Sequence, residues 1–343
     1  MKRHFLVTGG AGFIGSNYIA RLLAQEKKVT ILDNMSRAGA DLNIQWLRER
    51  FGKDSFNLIQ ADIRDAEQVH SAAKNVDVII HLAAQVTVTT SVINPREDFE
   101  INALGTFNVM EAARLSKKNP IVLYSSTNKV YGEMLDEKII EEKDQYRYAG
   151  LPAGVSESQR LDFHSPYGCS KGSGDQYVRD YYRIFGIPSV VLRQSCIYGP
   201  RQFGIEDQGW VAWFVIAAIL GKEITIYGDG KQVRDALYID DLLDVYDLVV
   251  EKIDKTAGQV YNIGGGPHNT ISIWQQFSPI LEDLVGKNIE VRRNGWRPGD
   301  QKIYVSDICK AQTDLGWEPK VDVLEGIHNL FDWVNTNKQL FLD

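Results

Sequence analysis

The chain has 343 residues, of which 44% are hydrophobic, 24% charged and 10% aromatic. This is the composition of an ordinary folded protein, and it excludes a disordered or fibrous chain. At roughly 150 residues per domain, the length predicts one large domain or two smaller ones. The net charge is −7, and no basic run stands out that could neutralise several phosphates, so nucleic acid is not an expected partner.

The cysteine and histidine content also restricts the class of protein. Three cysteines can build neither a disulfide framework nor a four-thiolate zinc site, and the six histidines lack metal-ligand spacing. We therefore expect no metal. The longest apolar stretch, residues 210–220, is shorter than the ~20 residues of a membrane span, and the first residues lead directly into a strand-like run instead of a secretory signal. These features predict a cytoplasmic protein with no membrane association.

Short apolar runs alternate with segments of helical period over the first part of the chain. Strands that are apolar on both faces and separated by helices predict right-handed βαβ units and a buried parallel sheet. The expected fold is therefore α/β, a Rossmann-type doubly wound parallel sheet. The apolar runs are Phe5–Val7, Val29–Leu32, Asn57–Ile59, Val78–Ile80, Ile121–Leu123 and Val190–Leu192.

Beyond Gly199 the pattern changes to short helices and strands punctuated by Gly and Pro. We predict a sheet domain over residues 1–198 and a smaller mixed α/β domain over 199–343, with some chain crossing back between them. Residues 132–163 form a long polar connection within the first domain. A connection of that length is usually functional or disordered.

The first strand ends in a glycine-rich turn, Thr8 to Gly15. Gly9 allows the tight turn, Gly12 lets a pyrophosphate approach the backbone, and Gly15 lets the helix pack on the strand. Asp33 ends the second strand, where a carboxylate meets the 2′-hydroxyl of an adenosine ribose and repels a 2′-phosphate. The pattern favours NAD over NADP, although the nearby Arg37 keeps NADP open.

Later strand ends supply further candidate contacts, because ligands bind at the carboxyl ends of parallel strands. Asp62 and Ile63 are expected near the adenine. The dinucleotide backbone is expected beside Leu82, Ala83, Ala84 and Gln85.

A Tyr and a Lys stand four residues apart, at Tyr167 and Lys171, and so share one helix face. The Lys charge is expected to lower the pKa of the phenol, which makes the pair suited to taking a proton from a sugar hydroxyl. A lone Tyr/Lys pair is common on helix surfaces. Here Ser125 and Thr127 close the fifth strand, and Thr127 can hydrogen-bond the reacting oxygen.

The segments TGGAGFIGS, DNMSR, ADIRD, HLAAQ, SSTNKVYG, SPYGCSK and GDGKQVRD follow one another in this order. From Phe5 to about Trp317 the chain resembles the extended short-chain dehydrogenase/reductases that act on nucleotide sugars. Within them it is most similar to the CDP-paratose 2-epimerases, also called CDP-tyvelose 2-epimerases. That similarity rests on STNKVYG, LDFHSPYGCSKG and YGPRQFGIEDQGWVAWF.

The resemblance implies an NAD-binding first domain with Thr127, Tyr167 and Lys171 as the catalytic group, Lys171 also holding the nicotinamide ribose. Asn102 would lie behind the nicotinamide. The remaining residues implied for NAD are Gly9, Gly12, Phe13, Ile14, Gly15, Asp33, Asn34, Ser36, Arg37 and Ser125.

The second domain would mainly bind the substrate, a CDP-hexose. Arg234 and Arg297 match the arginines that hold the nucleotide diphosphate in the family. Thr127 and Asn128 are also expected at the substrate, and the 2-epimerase segment adds Arg201, Gln202 and Gln208. The roles of His164, Trp210 and Trp213 stay open between substrate contact and structure.

The implied reaction is epimerisation at C2 through transient oxidation to a 2-keto sugar, with hydride returned to the opposite face, in a homo-oligomer that is a dimer or a tetramer. Asn128-Lys129 replaces the Asp-Glu pair of the related dehydratases, so loss of water is not expected. Cys196 replaces an Asn usual in UDP-galactose 4-epimerases. The alternatives are another nucleotide-sugar epimerase such as a UDP-hexose 4-epimerase, a net reductase, and a non-catalytic dinucleotide-binding protein.

Overall fold

The computed structural model describes residues 2–297 and 299–342. The strands are β1 (His4–Thr8), β2 (Lys28–Asp33), β3 (Asn57–Gln60), β4 (Val78–His81), β5 (Ile121–Thr127), β6 (Ile139–Glu141), β7 (Tyr146–Tyr148), β8 (Ser189–Gln194), β9 (Cys196–Tyr198), β10 (Ile224–Tyr227), β11 (Val233–Tyr238), β12 (Val260–Ile263), β13 (Thr270–Ser272), β14 (Val291–Asn294) and β15 (Ile303–Tyr304).

Helices connect most of these strands. The α-helices are α1 (Phe13–Ala24), α2 (Ala40–Phe51), α3 (Ala66–Ala73), α4 (Val88–Ile93), α5 (Pro95–Phe99), α6 (Gly105–Leu115), α7 (Ser165–Phe185), α8 (Trp210–Leu220), α9 (Ile239–Glu251), α10 (Ile253–Thr256), α11 (Phe277–Val285), α12 (Cys309–Leu315) and α13 (Val323–Thr336). A π-helical turn, Glu100–Leu104, joins α5 to α6, and 3₁₀ turns cover Asn128–Tyr131 and Lys338–Phe341.

Seven strands form one sheet in the order β12-β8-β5-β4-β1-β2-β3. The pairs β1–β2, β1–β4, β2–β3 and β4–β5 are all parallel. The strand order reverses between β1 and β4, which is the switch point where doubly wound sheets bind ligands. The Rossmann-type fold predicted from the sequence is confirmed, and all six predicted apolar runs lie in strands of this sheet.

Burial on both faces of the sheet explains why its strands are continuously apolar. In β1, Leu6 and Val7 are adjacent and therefore point to opposite faces, yet both are fully buried. Leu6 belongs to a core cluster with Val69 of α3 and Val109 and Met110 of α6. This core fixes the strand ends that carry the candidate site.

The chain divides into two compact units. The first unit contains the chain up to Val130 together with Ser165–Arg193 and Leu243–Tyr261. The second unit contains Tyr131–His164, Gln194–Leu242 and the chain from Asn262 onward. The sequence predicted a main boundary at residue 198 with some chain crossing back, and the folded chain passes between the units several times.

Residues 132–163 belong to the second unit and carry the antiparallel β6–β7 hairpin. The Tyr148 hydroxyl donates a hydrogen bond to the Ile303 carbonyl (2.9 Å), and the Val155 amide donates to the Val305 carbonyl (2.7 Å). Because β15 and the residues after it satisfy these polar groups, the stretch is an ordered part of the second unit and not a loop of the first domain.

The rest of the second unit is built around β11, which pairs with β13, β15 and β9, while β10 and β14 form a separate parallel pair. The apolar run 210–220 is α8, and its Ala212, Val215 and Ala217 are fully buried. Within residues 2–297 and 299–342, no helix is both long and apolar enough to cross a membrane.

Candidate active site

The glycine turn leaves room for a ligand at the N-terminus of α1. Gly9 has φ +70°, and a Cβ there would lie 2.6 Å from the Ala83 amide nitrogen. At Gly15 a Cβ would lie 2.5 Å from the Gly9 carbonyl oxygen, so both positions require glycine. Gly12 caps α1 without a side-chain hydrogen bond. An uncapped helix N-terminus beside a glycine turn fits the pyrophosphate of a dinucleotide.

Asp33 is fixed beside this turn. Its Oδ2 accepts a hydrogen bond from the Ala11 amide (2.9 Å) and its Oδ1 accepts one from the Met35 amide (2.8 Å). Burial raises the pKa of the carboxyl group, and the two backbone bonds oppose that rise. Each carboxylate oxygen keeps acceptor capacity, which fits the hydroxyls of an adenosine ribose.

Of the two residues predicted to lie near the adenine, Asp62 is partly exposed and Ile63 is buried. Asp62 accepts hydrogen bonds from Arg64 and Asn34, and mainly the Arg64 bonds lower the pKa of Asp62 to about 2. The Ile63 side chain is 4% exposed and packs in the hydrophobic core. Its carbonyl accepts from the Asn108 amide group (2.9 Å), so only part of the predicted Asp62–Ile63 pair faces outward.

Asn102 lies in the π-helical turn and ties it to the end of β4. Its Oδ1 accepts from the Gln85 amide (3.0 Å), and its Nδ2 donates to the Gln85 carbonyl (2.9 Å) and to Asp98 Oδ1 (3.0 Å). π-helical turns frequently occur at functional sites. Asn102 thus fixes the backbone conformation of the segment that follows β4.

The proposed proton-transfer group lies where β5 ends against α7. Thr127, Tyr167 and Lys171 are all buried, at 7%, 8% and 5% exposure. The Tyr167 phenol lies close to the Thr127 side chain, whose Oγ1 accepts a hydrogen bond from the Lys129 amide (3.2 Å). The Lys171 Nζ donates to the Ser125 carbonyl at 2.6 Å and lies 4.3 Å from the centre of the Tyr124 ring. The structure therefore brings together the residues that the sequence placed on two separate elements.

The direction of one pKa shift differs from the sequence expectation. Burial raises the pKa of the Tyr167 phenol to about 12, against the opposing effects of the nearby Thr127 hydroxyl and the Arg37 charge. Burial lowers the pKa of Lys171 to about 7. Desolvation of the phenol therefore raises its pKa, opposite to the lowering that the sequence predicted from the Lys171 charge, and the cation that opposes the rise is Arg37.

A buried ion pair lies next to this group. Arg193 of β8 binds both carboxylate oxygens of Asp175 at 2.9 Å, and Ser126 donates to the same carboxylate at 2.8 Å. Asp175 follows Lys171 by one helical turn and raises its pKa. Sequence reasoning missed this network, although the four-residue spacing was visible.

His81 connects the glycine turn to α6. Its ring nitrogens lie 2.8 Å from Thr8 Oγ1 and 3.1 Å from Thr106 Oγ1. Burial and the Lys171 charge lower the pKa of His81 to about 3, so the ring is neutral. No group of three or more potential metal ligands occurs in the part of the chain that the structure describes.

In the second unit, both candidate arginines are paired with carboxylates. Arg234 Nη2 lies 2.8 Å from Asp300 Oδ1, and Arg297 Nη2 lies 2.9 Å from Asp207 Oδ1. The Arg297 guanidinium also stacks over the Tyr227 ring at 3.7 Å. Planar cationic forks of this kind suit a diphosphate.

The segment that follows β9 contributes the other candidates of this unit. Gln202 is 9% exposed; its Nε2 donates to the Ile197 carbonyl (3.3 Å), while its Oε1 is buried with no hydrogen-bond partner among the described residues. Arg201 lies over the Trp333 ring at 5.7 Å. The Gln208 amide bonds to the Ile205 carbonyl (2.9 Å), which closes a tight turn.

The three residues left open by the sequence also lie in the second unit. Trp210 is half-buried and packs against Phe277 with ring centres 5.3 Å apart, and its buried Nε1 finds no hydrogen-bond partner among the described residues. Trp213 Nε1 is buried and finds no hydrogen-bond partner within the described ranges. His164 Nε2 lies 3.3 Å from Glu133 Oε1, and both side chains are partly exposed.

The sequence model of the GDP-mannose 4,6 dehydratase family matches residues 6–330. The chain belongs to this extended short-chain dehydrogenase/reductase family. A CDP-paratose 2-epimerase of Salmonella typhi is 42% identical over 338 residues, covering 96% of this chain and 99% of the relative.

Members of the family with known structures share the fold over almost their whole length. A UDP-glucuronic acid 4-epimerase from Bacillus cereus, in complex with UDP-glucuronic acid and NAD, superposes with a TM-score of 0.82 at 30% identity, covering 97% of this chain and 99% of that chain. A dTDP-glucose 4,6-dehydratase from Streptomyces venezuelae with NAD bound gives 0.83 at 29% identity, with 98% of each chain covered. Both of these relatives hold the cofactor that the glycine turn and Asp33 predict.

Proposed function

We propose that the protein is an NAD-dependent nucleotide-sugar epimerase that inverts C2 of a CDP-hexose such as CDP-paratose or CDP-glucose. The observation that carries the proposal is the buried group of Thr127, Tyr167 and Lys171 in the same unit as the glycine turn and Asp33. The similarity to CDP-paratose 2-epimerase over 96% of the chain supports the choice of C2 and of CDP.

The cofactor site would be formed by the first unit. Gly9, Gly12 and Gly15 would admit the pyrophosphate, and Asp33 would bind the adenosine ribose. Bound NAD supplies a hydride acceptor. The other residues assigned to it are Phe13, Ile14, Asn34, Ser36, Arg37, Asp62, Ile63, Leu82, Ala83, Ala84, Gln85, Asn102, Ser125, Tyr167 and Lys171.

A sugar C2–H with no adjacent carbonyl is too weakly acidic to epimerise by simple deprotonation. Tyr167 would take the proton of the C2 hydroxyl as hydride leaves the same carbon, with Thr127 hydrogen-bonded to the reacting oxygen. The same phenol would return the proton to the oxygen as the 2-keto sugar, having exposed its other face, regains the hydride at C2. Lys171 would favour the phenolate and hold the nicotinamide ribose.

The second unit would bind the nucleotide diphosphate. Arg234 and Arg297 would exchange their carboxylate partners Asp300 and Asp207 for phosphate oxygens, since the planar forks fit both. Of the remaining candidate substrate residues, Arg201, Gln202 and Gln208 lie in this unit and Asn128 lies in the first.

The proposal is tested by following the hydrogen at C2. CDP-paratose and CDP-glucose carrying deuterium at C2 are incubated in ordinary water, and the product is analysed by NMR and mass spectrometry. We expect a C2 epimer that retains its deuterium, because a hydride held within the site does not exchange with solvent. In a separate measurement, purified protein that is denatured before any substrate is added should release NAD.

Other outcomes assign a different function. Loss of the deuterium to water would exclude transient oxidation at C2. Turnover of UDP-hexoses only, with an isotope effect from label at C4, would establish the 4-epimerase alternative. Turnover that consumes stoichiometric NADH would indicate a reductase.

We also propose that the chain forms a homo-oligomer, a dimer or a tetramer, in the cytoplasm. Two neighbouring helices of the first unit, α6 and α7, expose large apolar side chains. Phe107 of α6 contacts Tyr177 of α7 (5.8 Å between ring centres), and Ile184 and Phe185 are 66% and 50% exposed. Apolar surface of this extent is typical of an interface.

The expected mass in solution is therefore a multiple of 38.7 kDa, with α6 and α7 at the contact. Ile184→Lys should lower the mass measured by light scattering during gel filtration, because a buried ammonium opposes association. Leu135→Lys introduces the same charge at an 85% exposed position of the second unit and should leave the mass unchanged. A monomeric wild-type chain would contradict the proposal.

A further inference from the structure

A carboxylate that neither the fold nor the proposed reaction accounts for lies beside the proton-transfer pair. Asp98, on the short helix α5, is 1% exposed. Its Oδ1 accepts from Asn102 Nδ2 at 3.0 Å. No hydrogen bond of normal geometry from a described residue reaches its buried Oδ2, although the Ser170 side chain lies close. Burial raises the pKa of Asp98, and the nearby Ser170 hydroxyl, the Asn102 bond and the Lys171 charge oppose that rise. Burying a carboxyl oxygen without a full hydrogen bond is costly, so a functional reason is expected.

The charge of Asp98 acts on both members of the pair. It raises the pKa of Lys171 and also raises that of Tyr167. Both residues are on α7, which packs against α5. No Lys, Arg or His within the described ranges forms an ion pair with Asp98.

Three other groups that face the pair have a partner or are neutral. Asp175 also raises the Lys171 pKa, but Arg193 compensates its charge in a two-point ion pair. His81 is neutral, and Tyr124 contributes the face of its ring. Arg37 acts on Tyr167 from the residues after β2. Among the described residues, Asp98 thus lies next to the pair without an ion-pair partner of its own, and the Lys171 charge favours its ionised form.

We propose that Asp98 is a positioning residue that keeps Lys171 in its ammonium form and sets the pH range in which the Lys171–Tyr167 pair works, through its buried carboxylate on α5 and its bond to Asn102. This inference rests on the proposed function, in which Tyr167 moves the proton. Asp98 does not touch the sugar in this proposal; it acts through Lys171 and Tyr167.

Asp98→Asn tests the charge alone, because the new side chain has the same size and still offers an oxygen to Asn102. Loss of the negative charge disfavours the ammonium form of Lys171 and favours the phenolate form of Tyr167. Both pKa values then fall, so the bell-shaped pH profile of kcat moves to lower pH, by on the order of one unit. A residue with only a structural role would lower kcat without moving the profile.

The matched variants separate charge from shape. Glu97→Gln removes the same charge from the neighbouring residue of α5 and should leave the profile in place, because Glu97 acts on neither member of the pair. Asp98→Glu keeps the charge and should restore the wild-type profile. If Asp98→Asn does not fold, Asp98→Ser provides the neutral side chain.

A second measurement needs no substrate. In holoenzyme labelled with [ε-¹³C]lysine, the Lys171 signal is assigned by its absence in Lys171→Arg and titrated by NMR. We expect its midpoint to fall in Asp98→Asn and to stay unchanged in Glu97→Gln. An unchanged Lys171 midpoint in Asp98→Asn overturns the inference. Failure of every nucleotide sugar to react would overturn the proposed function instead, and the titration would still decide the role of Asp98.

Discussion

Tyr167→Phe is expected to lower kcat by roughly 10²–10⁴, the range typical of a lost general acid–base. The change removes one oxygen atom and the proton that it carries. KM should change little, because the ring still fills the same 8% exposed position on α7. The measurement is the rate of C2 epimerisation under saturating substrate, compared with wild type.

A control variant on the same helix shows whether the effect is specific to Tyr167. Tyr182→Phe removes the same atom from α7 at a 40% exposed position and should leave kcat unchanged. Thr127 retains its hydroxyl in both variants, so a loss specific to Tyr167→Phe identifies the phenol as the proton-transfer group. Near-normal turnover in Tyr167→Phe would mean that another group takes the proton.

The parts of the site that follow from local backbone geometry could be predicted from the sequence. Gly9 has a positive φ, and Gly15 has no room for a side chain. Because only glycine meets these requirements without strain, they can be recognised from the residue type alone. Asp33 is recognisable because it ends a strand at a fixed distance from the glycine turn. The apolar runs predicted the sheet for a similar reason, since a strand buried on both faces carries few polar residues.

The parts that depend on burial could not be predicted in this way. The spacing of Tyr167 and Lys171 shows that they share a helix face, but it does not show that this face is buried from solvent. That burial determines the direction in which the Tyr167 pKa shifts. Asp98 resembles its acidic neighbours Glu97 and Glu100 in the sequence, and only the packing of α5 on α7 distinguishes it. Residues 132–163 lack periodicity because long-range bonds to β15 order them.

Arg193→Met is expected to lower the free energy of unfolding by about 3–5 kcal/mol, the usual effect of removing one partner from a buried ion pair. The Arg193 and Asp175 side chains are 3% and 0% exposed. Without the guanidinium, Asp175 keeps, among the described residues, only the hydrogen bonds of Ser126 and Gln176, and the site is buried. Urea-induced unfolding followed by circular dichroism measures the loss, which is large against a typical total of roughly 5–15 kcal/mol.

Two further variants test the cause of this loss. Arg183→Met makes the same substitution on an exposed part of α7 and should change stability by less than ~0.5 kcal/mol. Combining Arg193→Met with Asp175→Leu removes the stranded carboxylate and should recover much of the stability, since an apolar pair of similar size is often as stable as a buried ion pair. A double variant no more stable than Arg193→Met would show that the arginine acts through packing. In that case other groups would already compensate the charge of Asp175. Replacing Arg193 would then leave unaltered the effect of Asp175 on the pKa of Lys171, which lies one helical turn away.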